Sequence, residues 1–200
     1  MAKRTRIYTR TGDAGETGLF GGQRVGKDSL RISCFGDVDE CSCAIGAARS
    51  ALRTDGAMDE RAMALDAWLA WTQDMLFNLG ADLATPQDKR SDAMPHVTEQ
   101  DVKALEGAID AASADLPALD TFIHPGGSQA GAWLHFARAL CRRAERHIVL
   151  LGRSEPVAPA VAQYVNRLSD ALFEWARWIN YARGAAEARW NPASRPPGAS

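Results

Sequence analysis

Arg138-Ala-Leu-Cys-Arg-Arg-Ala-Glu-Arg146 is the stretch on which the fold of this chain turns. Around it Leu134, Ala137, Cys141, Ala144 and Ile148 recur every three or four residues, a pattern that only a helix gathers onto one side. Arg138, Arg142 and Arg146 stand at i, i+4 and i+8 and form a second stripe beside it, with Arg143 and Glu145 at its edges. The first stripe must pack on other helices. The second must meet anions or acids, because arginines beside a core face are costly to desolvate unpaired. A solvated charged face is the plainer reading of a charge run, but Glu145 is the lone acid among these five charges, so self-compensation is poor. Asp39, Glu145 and Asp170 are available to pair some of the arginines structurally.

The same period extends in both directions. Val38, Cys41, Ile45, Ala48 and Leu52 predict a helix beginning near Asp37. Leu65, Trp68, Leu69, Thr72, Leu76 and Leu79 predict a second, from Asp59 to Asp82, stopped by Thr85-Pro86 and followed by a polar loop over 86–97. Thr98-Glu-Gln-Asp101 starts a third, with Thr98 as cap, carrying Val102, Leu105, Ile109 and Ala112 up to Leu116-Pro117. Pro125-Gly-Gly-Ser128 opens the fourth, which runs to Leu151. Pro156 and Pro159 precede a fifth, from Ala160 to Arg183. On that last helix Asn166 and Asp170 are one turn apart and positioned to face the arginine row. A helix-interior asparagine has poor propensity and needs a polar partner. Five helices with short connections and no strand–helix alternation predict an all-α, antiparallel five-helix bundle. It forms one domain over 1–184, whose first thirty residues read as an ordered loop or as a short strand followed by loop. Residues 185–200, with Pro192, Pro196 and Pro197, read as a disordered tail.

The opening segment explains which anion the arginines await. Thr9-Arg-Thr-Gly-Asp-Ala-Gly15-Glu-Thr17 has the composition of a phosphate nest: glycines exposing backbone N–H groups, threonine hydroxyls as donors, and Arg10 with Lys27 as charge. Its plainer reading is a surface turn. Gly21-Gly-Gln-Arg-Val-Gly26-Lys27-Asp28 nearly spells a P-loop, but Asp28 stands where Ser or Thr would ligate magnesium, and no buried strand precedes it. Lys27 remains a good point charge for phosphate.

Composition narrows the classes. Two hundred residues suffice for one full core, and a net charge of −2 argues against nucleic acid as a general partner. No apolar run approaches a membrane span, and Met1 to Arg6 leads into no signal core, so a cytoplasmic location is expected. Cys34, Cys41, Cys43 and Cys141 lack metal-site spacing and read as free thiols. No histidine has a glutamate three residues before it, which excludes a di-iron bundle. His124 and Gly127 have the spacing of a cobalt-ligating Asp-x-His-x-x-Gly motif, but Phe122 replaces the aspartate that would orient the imidazole.

Taken with Gly36-Asp-Val-Asp-Glu40, Phe122-Ile-His-Pro-Gly-Gly127 and Asn166-Arg-Leu-Ser-Asp170, these segments resemble, in order and from Tyr8 to Arg183, the PduO-type ATP:cob(I)alamin adenosyltransferases. The resemblance implies a ferritin-like five-helix bundle assembled as a homotrimer, with ATP at subunit interfaces. It implies transfer of the 5′-deoxyadenosyl group of ATP, with magnesium, to cob(I)alamin, releasing triphosphate. Thr9, Arg10, Thr11, Gly12, Thr17, Gly18 and Lys27 would line the ATP loop. Arg142, Arg143, Glu145, Arg146 and Asn166 would contact ATP from a neighbouring subunit, and Asp39 and Arg138 would pair across the interface. Phe122, with His124 beside it, would face the corrinoid and keep the lower cobalt face free of its base. Of these, Arg142, Arg146, Asn166 and Phe122 would carry catalysis. A reductase and an adenosylcobalamin-dependent mutase are the implied protein partners.

Such a reaction suits the residues. Co(I) is itself the nucleophile, so the protein needs none. Its work is to align C5′ of ATP with cobalt and to stabilise the charge leaving on triphosphate. His124 departs from the apolar residue usual before Pro-Gly-Gly, and Cys41-Ser-Cys43 from the commoner Leu-Asn-Ser. The rival reading is a corrinoid or nucleotide carrier without turnover, which would not need both the loop and the arginine row. A purely structural bundle would need neither.

Overall fold

The computed structural model describes residues 7–91 and 93–197. The basic opening Met1 to Arg6, residue 92 and the end of the expected tail, 198–200, lie outside the described residues. Five helices follow a short antiparallel ribbon of β1 (Glu16–Gly18) and β2 (Arg24–Gly26): α1 (Leu30–Leu52), α2 (Glu60–Leu83), α3 (Glu99–Ala114), α4 (Gln129–Leu151) and α5 (Pro159–Ala182). Among the described residues no helix is long and apolar enough to cross a membrane.

The five expected helices are all present. Thr98 and Asp101 close a reciprocal capping box on α3, while Asp59 and Ser128 cap α2 and α4 by accepting from Ala62 N and Gly131 N. The largest difference lies in α1, which begins at Leu30, two turns before Asp37. Gly36 and the mixed polarity of 30–36 hide the period there, yet Cys34 is fully buried in that extra segment. In the opening segment the short-strand reading is the one present, and a second strand joins it, with Thr17 paired to Val25 across the ribbon. Gly21 and Gly22, both at positive φ, turn the chain between its strands. The near-P-loop is therefore a hairpin tip and its second strand.

α1, α2, α5 and α4 pack in a closed ring, each on the next, and α3 lies outside against α5. The α1–α4 seam is built from small residues, with Cys41, Ala44 and Ala48 facing Ala137, Cys141 and Ala144 in the core. Trp175 and Tyr164 fill the opposite side, Trp175 6.2 Å from the Trp68 ring. Cys34, Cys41 and Cys141 are buried and Cys43 is exposed, all as free thiols. Cys41 and Cys141 donate to the carbonyls of Ala137 (3.5 Å) and Val165 (3.3 Å), so they serve as small core residues.

The chain after α5 departs from the expected disordered tail. Gly184, at positive φ, turns it back, and residues 185–190 run along the segment 120–124. His124 N donates to Ala188 O (2.8 Å), Trp190 N donates to Phe122 O (2.8 Å), and Ile123 bridges Arg189. Arg189 pairs with Asp120 at 3.1 Å. Paired backbone and the Trp190 ring hold a stretch whose composition alone suggests solvent.

His135 on α4 is 2% exposed, and neither ring nitrogen has a partner. Burial, then the nearby Arg138 charge, pushes its pKa down from 6.5 to about 4. Between these values the unfolded chain takes up a proton that the folded chain refuses, so stability falls as the pH drops through that window. Unfolding at pH 7 and pH 4.5 should show His135→Leu removing a pH-dependent loss of about 2 kcal/mol. An equal pH dependence in the variant would assign that loss to other groups.

Candidate active site

The loop residues converge on one another. Arg24 ties the segment together, its Nη2 donating to Thr11 O (2.7 Å) and its Nε pairing with Glu16 (3.2 Å). Thr9 and Thr11 share a hydroxyl hydrogen bond of 2.9 Å. Lys27 N donates to Gly15 O (2.8 Å), and the Lys27 ammonium lies against Gly12, where an added Cβ would sit 3.2 Å from Nζ. Arg10 holds a left-handed φ of 61°, unusual outside glycine and asparagine. Thr9, Arg10, Thr11, Gly18 and Lys27 are exposed; Gly12 and Thr17 are half-buried. Exposed hydroxyls, an ammonium and turned backbone offer hydrogen-bond donors and positive charge on one surface, the chemistry that suits an anion.

The second group lies on α4 and α5. Arg142 and Arg146 are exposed, and Arg146 Nη1 donates to Arg142 O (3.0 Å). Asn166 finds its partner across the helix pair: its Nδ2 donates to Glu145 Oε1 (3.0 Å), and its Oδ1 accepts from Arg167 (2.7 Å). Arg167 continues to Glu106 on α3 at 2.8 Å. Arg138 and Arg142 line a cleft of about 470 Å³ with Arg167, Asp170 and Phe173. Arg138 Nε is buried without a partner, and burial followed by the Arg142 charge lowers that guanidinium's pKa. Asp39, exposed on α1, lines a different groove beside Phe77, so the expected Asp39–Arg138 pair does not form within one chain.

Arg143 turns away from this group. Its Nε pairs with Asp37 Oδ1 at 3.0 Å, its Nη2 pairs with Glu40, and His147 Nδ1 lies 2.6 Å from Asp37 Oδ2. Asp37, 7% exposed, thus anchors α4 to α1 through two side chains. Asp37→Ala should lower stability by about 1–3 kcal/mol, read as a shifted urea midpoint at constant slope. An unmoved midpoint would make the anchor idle.

Phe122 is 78% exposed and meets Trp190 edge-on at 6.1 Å. With Leu119, Ile123, Arg138 and Phe173 it lines a cleft of about 570 Å³. Arg138 and Phe173 therefore stand in the walls of both clefts, and the apolar Phe122 end adjoins the cationic end. The His124 side chain is exposed beside it.

Residues 9–27 and the α4–α5 group stay separate: among the described residues no hydrogen bond or ion pair joins them. Three contributors are not evident in the sequence: Asp37 as the seat of Arg143, Trp190 as the partner of Phe122, and Asn180 on α5, whose side chain bonds Ser128 and Gly126 O just after the Phe122 segment. Asn180 was accessible by the argument already applied to Asn166, since it too is an asparagine inside a helix.

A helical ring with a donor-rich loop, an arginine-lined cleft and an adjoining aromatic cleft defines an α-helical bundle with cationic and apolar surfaces side by side. Residues 7–179 match the family model described as Cobalamin adenosyltransferase, and the chain belongs to that family. It is 41% identical over 185 residues to the corrinoid adenosyltransferase of Bacillus subtilis (strain 168), covering 92% of each chain. Over 186 residues it is 44% identical to the cobalamin adenosyltransferase of Cupriavidus metallidurans, covering 93% of this chain and 94% of the relative. A variant PduO-type ATP:corrinoid adenosyltransferase from Lactobacillus reuteri, complexed with cobalamin and ATP, superposes with a TM-score of 0.85 at 36% identity, covering 94% of this chain and 97% of that one.

Proposed function

We propose that this protein transfers the 5′-deoxyadenosyl group of ATP to the cobalt of cob(I)alamin, giving adenosylcobalamin and triphosphate. The observation that carries the reading is the adjacency of the two clefts, with Arg138 and Phe173 in both. A cation-lined end suits a phosphate chain, and the Phe122 end suits a corrin face. In the reaction Co(I) attacks C5′, the Co–C bond forms, and the C5′–O bond breaks with its electron pair leaving on triphosphate. Arg142 and Arg146 meet that developing charge. Asn166 and Glu145 fix the α4–α5 side of the nucleotide site through their mutual hydrogen bond. Phe122 offers cobalt's lower side a ring with no lone pair, which keeps a base from coordinating there.

The two groups of ATP-directed residues complete one site when two copies of the chain meet, the loop Thr9 to Lys27 of one against Arg142 and Arg146 of the next. The unpartnered Arg138 Nε and the exposed Asp39 support such an interface, and closed rotational assembly as a homotrimer satisfies every copy. Arg143, held by Asp37 and Glu40, orients α4 rather than reaching freely for phosphate. Magnesium enters with ATP. Among the described residues no group of three or more His, Cys, Asp or Glu side chains is placed to hold a metal ion, whereas the loop's ammonium and hydroxyls fit a phosphate chain that brings its own cation. A reductase supplies Co(I), a mutase consumes the product, and the setting is the cytoplasm.

The test is anaerobic: protein, MgATP and chemically reduced cobalamin, followed by the loss of Co(I) absorbance. Conversion to the adenosylcobalamin spectrum with stoichiometric triphosphate is the expected result. ATP binding without conversion would overturn the transferase reading in favour of a carrier.

A further inference from the structure

Phe122 lies in an irregular segment, yet its platform role requires a defined position. Asn180, near the end of α5 and 0% exposed, lies where that position is set. Its side chain replaces the missing secondary structure. Nδ2 donates to Gly126 O at 2.9 Å, while Oδ1 accepts from both Ser128 N and Ser128 Oγ at 2.9 Å. All three bonds span more than fifty residues of sequence. Ser128 Oγ in turn accepts from Gly131 N at 3.0 Å, so the same carboxamide steadies the cap of α4.

The fit is close from both sides. A Cβ added at Gly127, which also holds a φ of 103°, would collide with the Asn180 carboxamide, and so would one added at Gly131. The two glycines are therefore a cradle for this side chain. The backbone of Asn180 does a second job, accepting from Ala185 N at 2.9 Å, where the chain turns into the strap 185–190. That strap holds Phe122 and His124 through Trp190 N and Ala188 O. The segment 122–128 is thus strung between two supports, and both start at residue 180.

We infer that Asn180 is the positioning residue of the corrinoid platform: its carboxamide sets the Gly126–Ser128 turn and through it the placement of Phe122. The inference rests on the proposed role of Phe122 at the lower cobalt face. Asn180 touches neither phosphate-directed group, so its loss should separate the two substrates.

The experiment compares wild type, Asn180→Ala and Gly127→Ala as intact protein. The second variant strikes the same junction from the loop side. Three quantities are read: ATP affinity by calorimetry, adenosylation kinetics against corrinoid concentration, and the fraction of bound cob(II)alamin in the four-coordinate state by its absorption and paramagnetic resonance spectra. Expected are an ATP Kd within about twofold of wild type, at least a tenfold loss in kcat/KM for corrinoid, and a reduced four-coordinate fraction in both variants. An Asn180→Ala protein with wild-type kinetics and four-coordinate fraction overturns the inference. So does one that loses ATP affinity in parallel with activity, which would mark Asn180 as a general core residue. If wild type yields no four-coordinate species while turning over, the role given to Phe122 fails, and the positioning role falls with it.

Discussion

Arg142→Ala should lower the rate of adenosyl transfer by about 100-fold, the loss expected when one preorganised donor to developing charge is removed. Arg142 is exposed on α4, lines the cleft with Arg138 and Arg167, and lends its carbonyl to Arg146. It carries no structural ion pair among the described residues, in contrast to Arg143, so truncation should spare the fold. The effect should fall chiefly on kcat, because the negative charge on triphosphate grows as the C5′–O bond breaks. Single-turnover kinetics with saturating MgATP and Co(I) check it. Wild-type turnover in a folded Arg142→Ala protein would remove this side chain from the mechanism.

Phe122→Ala should slow adenosylation on the order of 100-fold through misplacement at the reacting centre. The alanine leaves the lower side of cobalt open to its base or to water. On the role proposed for Phe122, cob(II)alamin would then stay five-coordinate and be harder to reduce to the nucleophilic Co(I). Phe122 is exposed, and its main ring contact is Trp190, so the melting temperature should move little while the chemistry suffers. The five- to four-coordinate ratio, measured beside the rate, decides between a platform and a passive surface ring. An unchanged ratio with an unchanged rate would make Phe122 a passive surface residue.

These two side chains differ in how visible their surroundings were beforehand. Around Arg142 the arginine spacing alone places Arg138, Arg142 and Arg146 on one face, and the structure puts Arg138 and Arg142 in one cleft. For Arg143 the same helical geometry says only that it stands at the edge. Its pairing with Asp37, 106 residues earlier, depends on which helix lies beside α4. Asn166 illustrates the boundary well. Its poor helix propensity announces a polar partner, but that the partner is Glu145 follows only from the packing of α5 on α4. Around Phe122 little was legible, because a proline-rich end reads as solvent until Trp190 is seen paired with Phe122 and Ala188 with His124.

Legible from residue order were the five helices, the capping of α3 by Thr98 and the membership of the family. Each of these rests on neighbours within a turn or on motifs of a few residues, where period, cap chemistry and glycine content act locally. The tertiary structure alone decided that α1 reaches back to Leu30, that Asp37 seats Arg143, that residues 185–190 strap Phe122, and that Asn180 fills the cradle of Gly127 and Gly131. The reason is physical: a buried polar group must find a partner, but which partner is set by how packed helices bring distant residues together.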